Sequence, residues 1–253
     1  MKEGHTLMKY TVITGASSGI GYETAKAFGM RNKNLILVAR RENNLQELKQ
    51  EILKNNPDID IMIKKVDLSK CENAYLLFDE LADFQIETWI NNAGFGDNHA
   101  ICEVDLKKIE DMLNVNIQAL TILSTLFVKK YQNVPGTQLI NLSSTAGYNF
   151  VPAVLYCASK YFVSIFTEGL ALQLKQAKAL LQAKVLAPHA TETEFGKVTT
   201  DLEKFDYKKY YSKFHTAAEM AGLLLDLYDS NASVGYIDRE TLDFQLTGPK
   251  LNW

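Results

Sequence analysis

The stretch "TGASSGIG", residues 14–21, constrains this chain more than any other. An apolar, β-branched run at 10–14 (YTVIT) ends there and a segment of helical period at 19–31 begins, so three glycines and two serines stand where a strand stops and a helix starts. Gly15, Gly19 and Gly21 clear side chains from a turn at a helix N-terminus. Free backbone N–H groups attract an anion at such a place, and a pyrophosphate needs bare backbone to approach. Glycines also serve turns that bind nothing, so the turn by itself leaves both readings open.

The alternation that begins there repeats. Strand-like runs fall at 10–14, 34–39 (NLILVA), 59–66 (IDIMIKKV), 87–91 (ETWIN), 138–143 (QLINLS) and 183–187 (AKVLA), with helical segments at 19–31, 42–55, 70–83, 105–131 and 153–178. The early strands are continuously apolar, as strands buried on both faces are, and β–α alternation joins parallel strands through right-handed crossovers. The expected fold class is α/β, a doubly wound parallel sheet flanked by helices on both faces. Region 191–215 breaks the rhythm with charges, Phe and Tyr and no clear strand. It reads as a helical or mobile lid whose aromatic residues either pack over the sheet edge or touch substrate. "TAAE" at 216–219 is a capping box opening a helix to about Tyr228, and 242–246 (LDFQL) supplies a last strand. Residues 1–9 read as an N-terminal extension and 10–253 as one domain, since no repeat or Pro/Gly linker divides them.

A 253-residue chain with 47% hydrophobic residues can bury a large core. The formal net charge is -3, with Lys and Arg interspersed among Asp and Glu, which argues against nucleic acid as a partner. No run approaches the roughly 18 consecutive apolar residues of a membrane span. The start "MKEGHTLMKY" lacks the apolar centre of a signal peptide, so the expectation is a cytoplasmic protein without a membrane partner. Cys71, Cys102 and Cys157 lie far apart, and His5, His99 and His215 have no metal-ligand spacing, so neither a disulfide framework nor a metal site is expected.

"TGASSGIG" resembles the phosphate-binding turn of the short-chain dehydrogenase/reductase family in its compact single-domain branch. The resemblance continues through "VDL" at 66–68, "NNAG" at 91–94, "NVN" at 114–116, "NLSS" at 141–144, "YCASK" at 156–160 and "PHATETEF" at 188–195, covering the chain from about 9 to 248. It implies a Rossmann-type sheet and a dinucleotide cofactor. Implied cofactor contacts run through Gly15, Ser17, Ser18, Gly19, Ile20 and Gly21 of the turn, Asp67 and Leu68 at the adenine, and Asn92, Ala93 and Gly94 after the fourth strand. Thr191 and Thr193 follow at the nicotinamide carboxamide. Asp67 also suits the cap of the next helix, and Asn91 reads as structural.

An acidic residue at the end of the second strand would bind the ribose 2′-hydroxyl of NAD. Here Ala39 takes that place and Arg40 and Arg41 follow. A guanidinium clamps a 2′-phosphate bidentately where a carboxylate repels it, so the pattern implies NADP(H), with Ser17 and Arg40 at the 2′-phosphate and Arg41 near the adenine.

Tyr156 and Lys160 stand four apart on a predicted helix, with β-carbons about 5–6 Å apart. A free Tyr titrates near 10, and a neighbouring ammonium together with a cationic oxidised nicotinamide favours its phenolate. The resemblance implies that Tyr156 gives a proton to a carbonyl oxygen and that Lys160 bonds the nicotinamide ribose and lowers the Tyr pKa. It also assigns a substrate-binding serine to "NLSSTAG". The local register favours Ser144; the usual 13-residue interval to the Tyr favours Ser143. Strand alternation sends the two hydroxyls to opposite sides, so only one serves, and Ser144 is chosen. Asn116 matches a position linked to the Lys through water, although an amide in an apolar helix also suits a bond to a neighbouring carbonyl. His189 replaces the glycine usual after Pro188, which restricts the backbone there.

The sequence therefore reads as an NADP(H)-dependent oxidoreductase moving a hydride between nicotinamide and a small carbonyl or alcohol substrate. A dinucleotide sensor without turnover and an epimerase or dehydratase are the alternatives. The resemblance further implies a homodimer or homotetramer packed through 105–131 and 153–178.

Overall fold

The computed structural model describes residues 8–251. Its elements are β1 (Lys9–Thr14), α1 (Gly19–Met30), β2 (Asn34–Ala39), α2 (Glu42–Asn55), β3 (Ile61–Lys65), α3 (Glu72–Glu80) and β4 (Gln85–Asn91) in the first half. There follow α4 (Leu106–Leu113), a π-helical turn (Asn114–Ala119), α5 (Leu120–Tyr131), β5 (Gln138–Leu142), a 3-10 turn (Thr145–Gly147), α6 (Val154–Gln176) and β6 (Gln182–Ala187). The remainder is β7 (Thr191–Glu192), α7 (Phe195–Thr200), α8 (Tyr207–Tyr210), β8 (His215–Thr216), α9 (Ala217–Asp229), β9 (Val234–Ile237) and β10 (Phe244–Thr247).

Eight strands form one sheet in the order β10-β9-β6-β5-β4-β1-β2-β3. Every pairing is parallel except β10 with β9. The chain winds outward from β1 to β3 and returns to β4 on the other side of β1, so the β1/β4 pair is the switch point, and the crevice beyond the carboxyl ends of these strands is where such sheets bind ligands. Burial on both faces explains the continuous apolar strands. Leu35 and Leu37 of β2 face the layer of α1, α2 and α9, while Ile36 and Val38 face the layer of α3, α5 and α6.

The second layer rests on Trp89, Phe127 and Tyr131, with ring centroids 6.0 Å and 4.7 Å apart in sequence. Below them lies a buried polar chain. Trp89 Nε1 donates to Asn91 Oδ1 (2.8 Å), and Asn91 Nδ2 donates to Ser124 Oγ (3.0 Å) and Asn141 Oδ1 (2.9 Å). Asn141 Nδ2 in turn donates to Thr167 Oγ1 (3.0 Å). Asn91 and Asn141 are register partners on β4 and β5, so the network ties two strands to α5 and α6.

Several boundaries differ from the sequence expectation. The first strand begins at Lys9, and residues 1–7, with His5, lie outside the described residues. The helix expected over 105–131 is interrupted by the π turn, which apolar periodicity does not reveal. Leu106–Tyr131 is long and apolar enough to cross a membrane, and it lies against the sheet, with Phe127 fully buried. The last parallel strand is β9, unforeseen in "VGYI"; the strand expected at 242–246 is the antiparallel β10, reached through a turn in which Asp238 Oδ1 accepts from Glu240 N and Thr241 N. Region 191–215 holds two short helices, and its ends pair as strands, Thr191 with His215 and Glu192 with Thr216. Thr216 and Glu219 form the capping box in full.

Candidate active site

Gly15 follows β1 with φ +68°, a left-handed conformation that glycine adopts without strain. A β-carbon there would lie 2.7 Å from Ala93 Cα, so the turn after β1 presses on the turn after β4. Thr14 locks the two together. Its hydroxyl donates to Ile90 O and accepts from Asn92 N and Ala93 N (both 3.1 Å), and Asn92 Nδ2 donates to Thr14 O (2.8 Å) and Gly15 O (3.2 Å). A β-carbon on Gly21 would collide with Asn92 and the Gly15 carbonyl, and Gly19 (φ +58°) lies under the Thr193 methyl group. Ile20 packs into the adjoining core. The result is a bare-backbone cradle at the start of a 12-residue helix, beside the switch point.

Ser18 N-caps α1 by backbone position, but its side chain does not cap. It accepts instead from Arg41 Nη2 (2.6 Å), while Arg41 Nε donates to Ser17 Oγ (3.3 Å). Arg40 is exposed. In the chain by itself it is Arg41 that touches Ser17, because Arg41 stands at the start of α2 and turns back over the glycine turn. Asp67 Oδ1 accepts from Ser69 N (3.1 Å) and Oγ (2.9 Å), and Leu68 is buried beside it. The expected cap is thus an Asx turn ahead of α3.

At the carboxyl end of β5, Ser143 and Ser144 part as alternation requires. Ser143 is buried, donating to Lys160 O (2.9 Å) and sharing a bond with Ser164 Oγ (2.7 Å). Ser144 turns the other way, its oxygen accepting from Ala146 N (3.1 Å) and standing near the Tyr156 phenol. Lys160 is buried, with Nζ donating to Leu142 O (2.9 Å) and standing 5.8 Å from the Tyr156 ring centroid. Gly94 keeps space here, since a β-carbon would lie 2.9 Å from Asn116 Oδ1 and 3.4 Å from Lys160 Nζ. Asn116, on the π turn, accepts from Phe95 N (3.2 Å) and donates to Phe95 O (2.9 Å) and Ser159 Oγ (3.1 Å). It therefore braces the loop after β4 against α6, and the carbonyl bond that the sequence left as an alternative is made.

Burial pushes the Lys160 ammonium down to about 8. The Tyr156 phenol moves the other way: burial raises it, the Ser144 hydrogen bond opposes, and the neighbouring Tyr211, Cys157 and Tyr207 raise it further. Burial therefore governs the phenol in the chain by itself; the acidification expected from Lys160 is paired with a cationic oxidised nicotinamide. The phenol is held protonated, the state a proton donor needs. The buried ammonium carries a measurable consequence. Between about pH 8 and 10.5 the unfolded chain keeps the Lys160 proton and the folded chain has lost it, so stability rises with pH in that window. Urea unfolding should show wild type gaining on Lys160→Met by on the order of 1–3 kcal/mol from pH 8 to 10.5. A difference that stays flat would refute the desolvated ammonium.

The segment after β6 closes over this floor. Thr191 Oγ1 donates to His189 O (2.9 Å), and Thr193 Oγ1 accepts from Phe195 N (3.1 Å). The Phe195 ring packs on Tyr156 with centroids 5.3 Å apart. Gly96 permits that approach, for a β-carbon would meet Phe195, Thr199 and Tyr156 together. His189 bonds Thr145 Oγ1 through Nδ1 (3.0 Å) and lies edge-on to Tyr211; burial, with Arg239 and His215, lowers its pKa, so it is neutral near pH 7. The contacts of Thr14, Gly96 and Glu194 escaped the sequence reading, since they depend on distant segments meeting, whereas Phe195, Tyr207 and Tyr211 lie in the lid whose aromatic residues it singled out. Asp97, His99 and Asp201 bring ligand atoms within 4.8 Å of one another, but the Lys108 ammonium already sits on both carboxylates at 2.8 Å.

The family model described as short chain dehydrogenase matches residues 9–204. Dehydrogenase/reductase SDR family member 11 of Homo sapiens is 29% identical over 195 residues, 74% of this chain and 75% of that protein. An uncharacterized oxidoreductase of Staphylococcus saprophyticus is 30% identical over 207 residues, 80% and 82% of the two chains. In fold, the chain is similar to a short-chain dehydrogenase from Sphingobium yanoikuyae in complex with NADPH (TM-score 0.82, 24% identity, 92% and 89% covered). It is also similar to a short-chain dehydrogenase/reductase from Burkholderia phymatum in complex with NAD (TM-score 0.75, 22% identity, 88% and 86% covered). With the family model spanning most of the chain and the fold alike, this chain belongs to the short-chain dehydrogenase/reductase family.

Proposed function

We propose that the chain is an NADP(H)-dependent carbonyl reductase and alcohol dehydrogenase. The observation that carries the reading is the convergence of Ser144, Tyr156 and Lys160 beside turns packed so closely that Gly15, Gly21 and Gly94 leave no room for a β-carbon. These residues fit a dinucleotide: bare backbone at the start of α1 for the pyrophosphate, Ser17 and Arg41 for a 2′-phosphate, Asp67 and Leu68 beside the adenine, and Asn92, Ala93, Gly94, Thr191 and Thr193 toward the nicotinamide. When bound in its reduced form, the group supplies a hydride to a carbonyl carbon. The Tyr156 phenol delivers a proton to the carbonyl oxygen, which the Ser144 hydroxyl orients. Lys160 holds a positive charge beneath the phenol, to be offset as the proton leaves, and Asn116 fixes the loop that carries Gly94.

Region 191–215 acts as the lid that sets substrate shape, its Phe195, Tyr207 and Tyr211 presenting an aromatic wall to small carbonyl compounds. The exposed Val154 and Ile165 on α6, with α5 alongside, are the faces for a homodimer or homotetramer, and the protein works in the cytoplasm as one domain. Purified protein should oxidise NADPH with at least one ketone or aldehyde of a broad panel, followed as loss of absorbance by the reduced nicotinamide. Binding without turnover across the whole panel would point instead to a nucleotide sensor.

A further inference from the structure

Arg41 reaches across the glycine turn to a residue the cofactor reading leaves unused. Its Nη1 pairs with Glu194 Oε2 at 2.8 Å, while Nη2 and Nε donate to Ser18 Oγ and Ser17 Oγ. Glu194 comes from the strap between β7 and α7, held down where the Thr193 methyl group meets Gly19. The Arg41 guanidinium thus holds the two hydroxyls of the glycine turn on one edge and a carboxylate contributed by the chain itself on the other. Burial would raise that carboxyl, but Arg41, with Ser18 and Lys197, overcomes burial and holds it below the usual carboxylate range.

We propose that Glu194 is a cofactor-discriminating residue: it occupies, with its own negative charge, the face of Arg41 that a nucleotide 2′-phosphate would take, and such a nucleotide binds by displacing it. The inference rests on the dinucleotide reading above and deepens it. The exchange is asymmetric. A phosphate offers two or more oxygens and up to two charges to the guanidinium fork, where the carboxylate offers one charge, so the displacement proceeds. A nucleotide lacking the 2′-phosphate has nothing to exchange and leaves the Arg41–Glu194 pair closed. The strap therefore opens at its polar end only for a phosphorylated ribose, and the chain's discrimination is weaker than Arg41 alone would give.

Adenosine 2′,5′-bisphosphate and 5′-AMP test this without turnover, by calorimetric titration of wild type, Glu194→Gln, Arg41→Ala and the double variant. A pair whose members are each about half exposed is worth 0.2–1 kcal/mol, so Glu194→Gln should tighten bisphosphate binding about one-and-a-half- to fivefold and leave 5′-AMP unchanged. The gain should vanish in the Arg41→Ala background, as coupling through one contact requires. Equal tightening of both nucleotides, no tightening, or a gain that survives without Arg41 overturns the proposal while leaving the dinucleotide reading intact. If wild type binds neither nucleotide, the dinucleotide reading falls and the proposal with it.

Discussion

Tyr156→Phe should lower turnover about 10²–10⁴-fold, the range that general acid catalysis contributes, with dinucleotide affinity unchanged. The substitution removes one oxygen. The ring keeps its place under Phe195 and over the Lys160 ammonium, so packing at the floor of the cleft is retained. What disappears is the phenol oxygen beside Ser144, the group proposed to hand a proton to the substrate. Single-turnover oxidation of bound NADPH reads the chemical step, and a parallel titration reads affinity. A variant that turns over at the wild-type rate would remove Tyr156 from the chemistry, and one that also fails to bind the dinucleotide would show a structural role instead.

Asn91→Leu should destabilise the fold by about 2–4 kcal/mol, a large fraction of what a domain possesses. Leu keeps the branched outline of Asn in a bulkier, apolar form, and it strands the partners. Trp89 Nε1 loses its acceptor, while Ser124 and Asn141 lose a donor, all within a region closed to water. Buried polar chains of this kind are stable when complete and costly when broken, because each orphaned group keeps its desolvation penalty. Equilibrium urea unfolding reads the loss as a lower midpoint at unchanged slope. A shift worth under about 1 kcal/mol would mean that the neighbours find new partners, and the network would not be the tie between β4 and β5 that its geometry describes.

Much of this architecture was legible in the sequence because it rests on local or periodic signals. The both-face-buried strands read as apolar runs, the capping box at Thr216 reads from four residues, and strand alternation alone separates Ser143 from Ser144. Asn91 read as structural for the same reason, an amide inside an apolar strand. The features that escaped depend on distant segments meeting. β9 is a four-residue strand containing a glycine, too short to register as a pattern. The π turn at Asn114–Ala119 inserts its irregularity without breaking the apolar stripe. Arg40 and Arg41 are adjacent and chemically equivalent in the sequence; only the path of the chain into α2 decides which one faces Ser17. The phenol's protonation is the subtlest case, for a Lys four residues away suggests acidification, while burial and the lid residues Tyr207 and Tyr211, many residues later in the chain, raise it.

The short antiparallel ribbon at the end of the sheet shapes how copies of this molecule meet one another in concentrated solution. All four residues of β9 are buried, and a strand of that kind left bare is a template on which another chain can polymerise. β10 saturates those amides and carbonyls and then stops after four residues, with Gln245 turned to water. The rim that remains is too brief, at four residues with Gln245 beside the exposed Leu246, to nucleate edge-on growth, so the winding that builds the cleft is finished off by a piece whose service is colloidal.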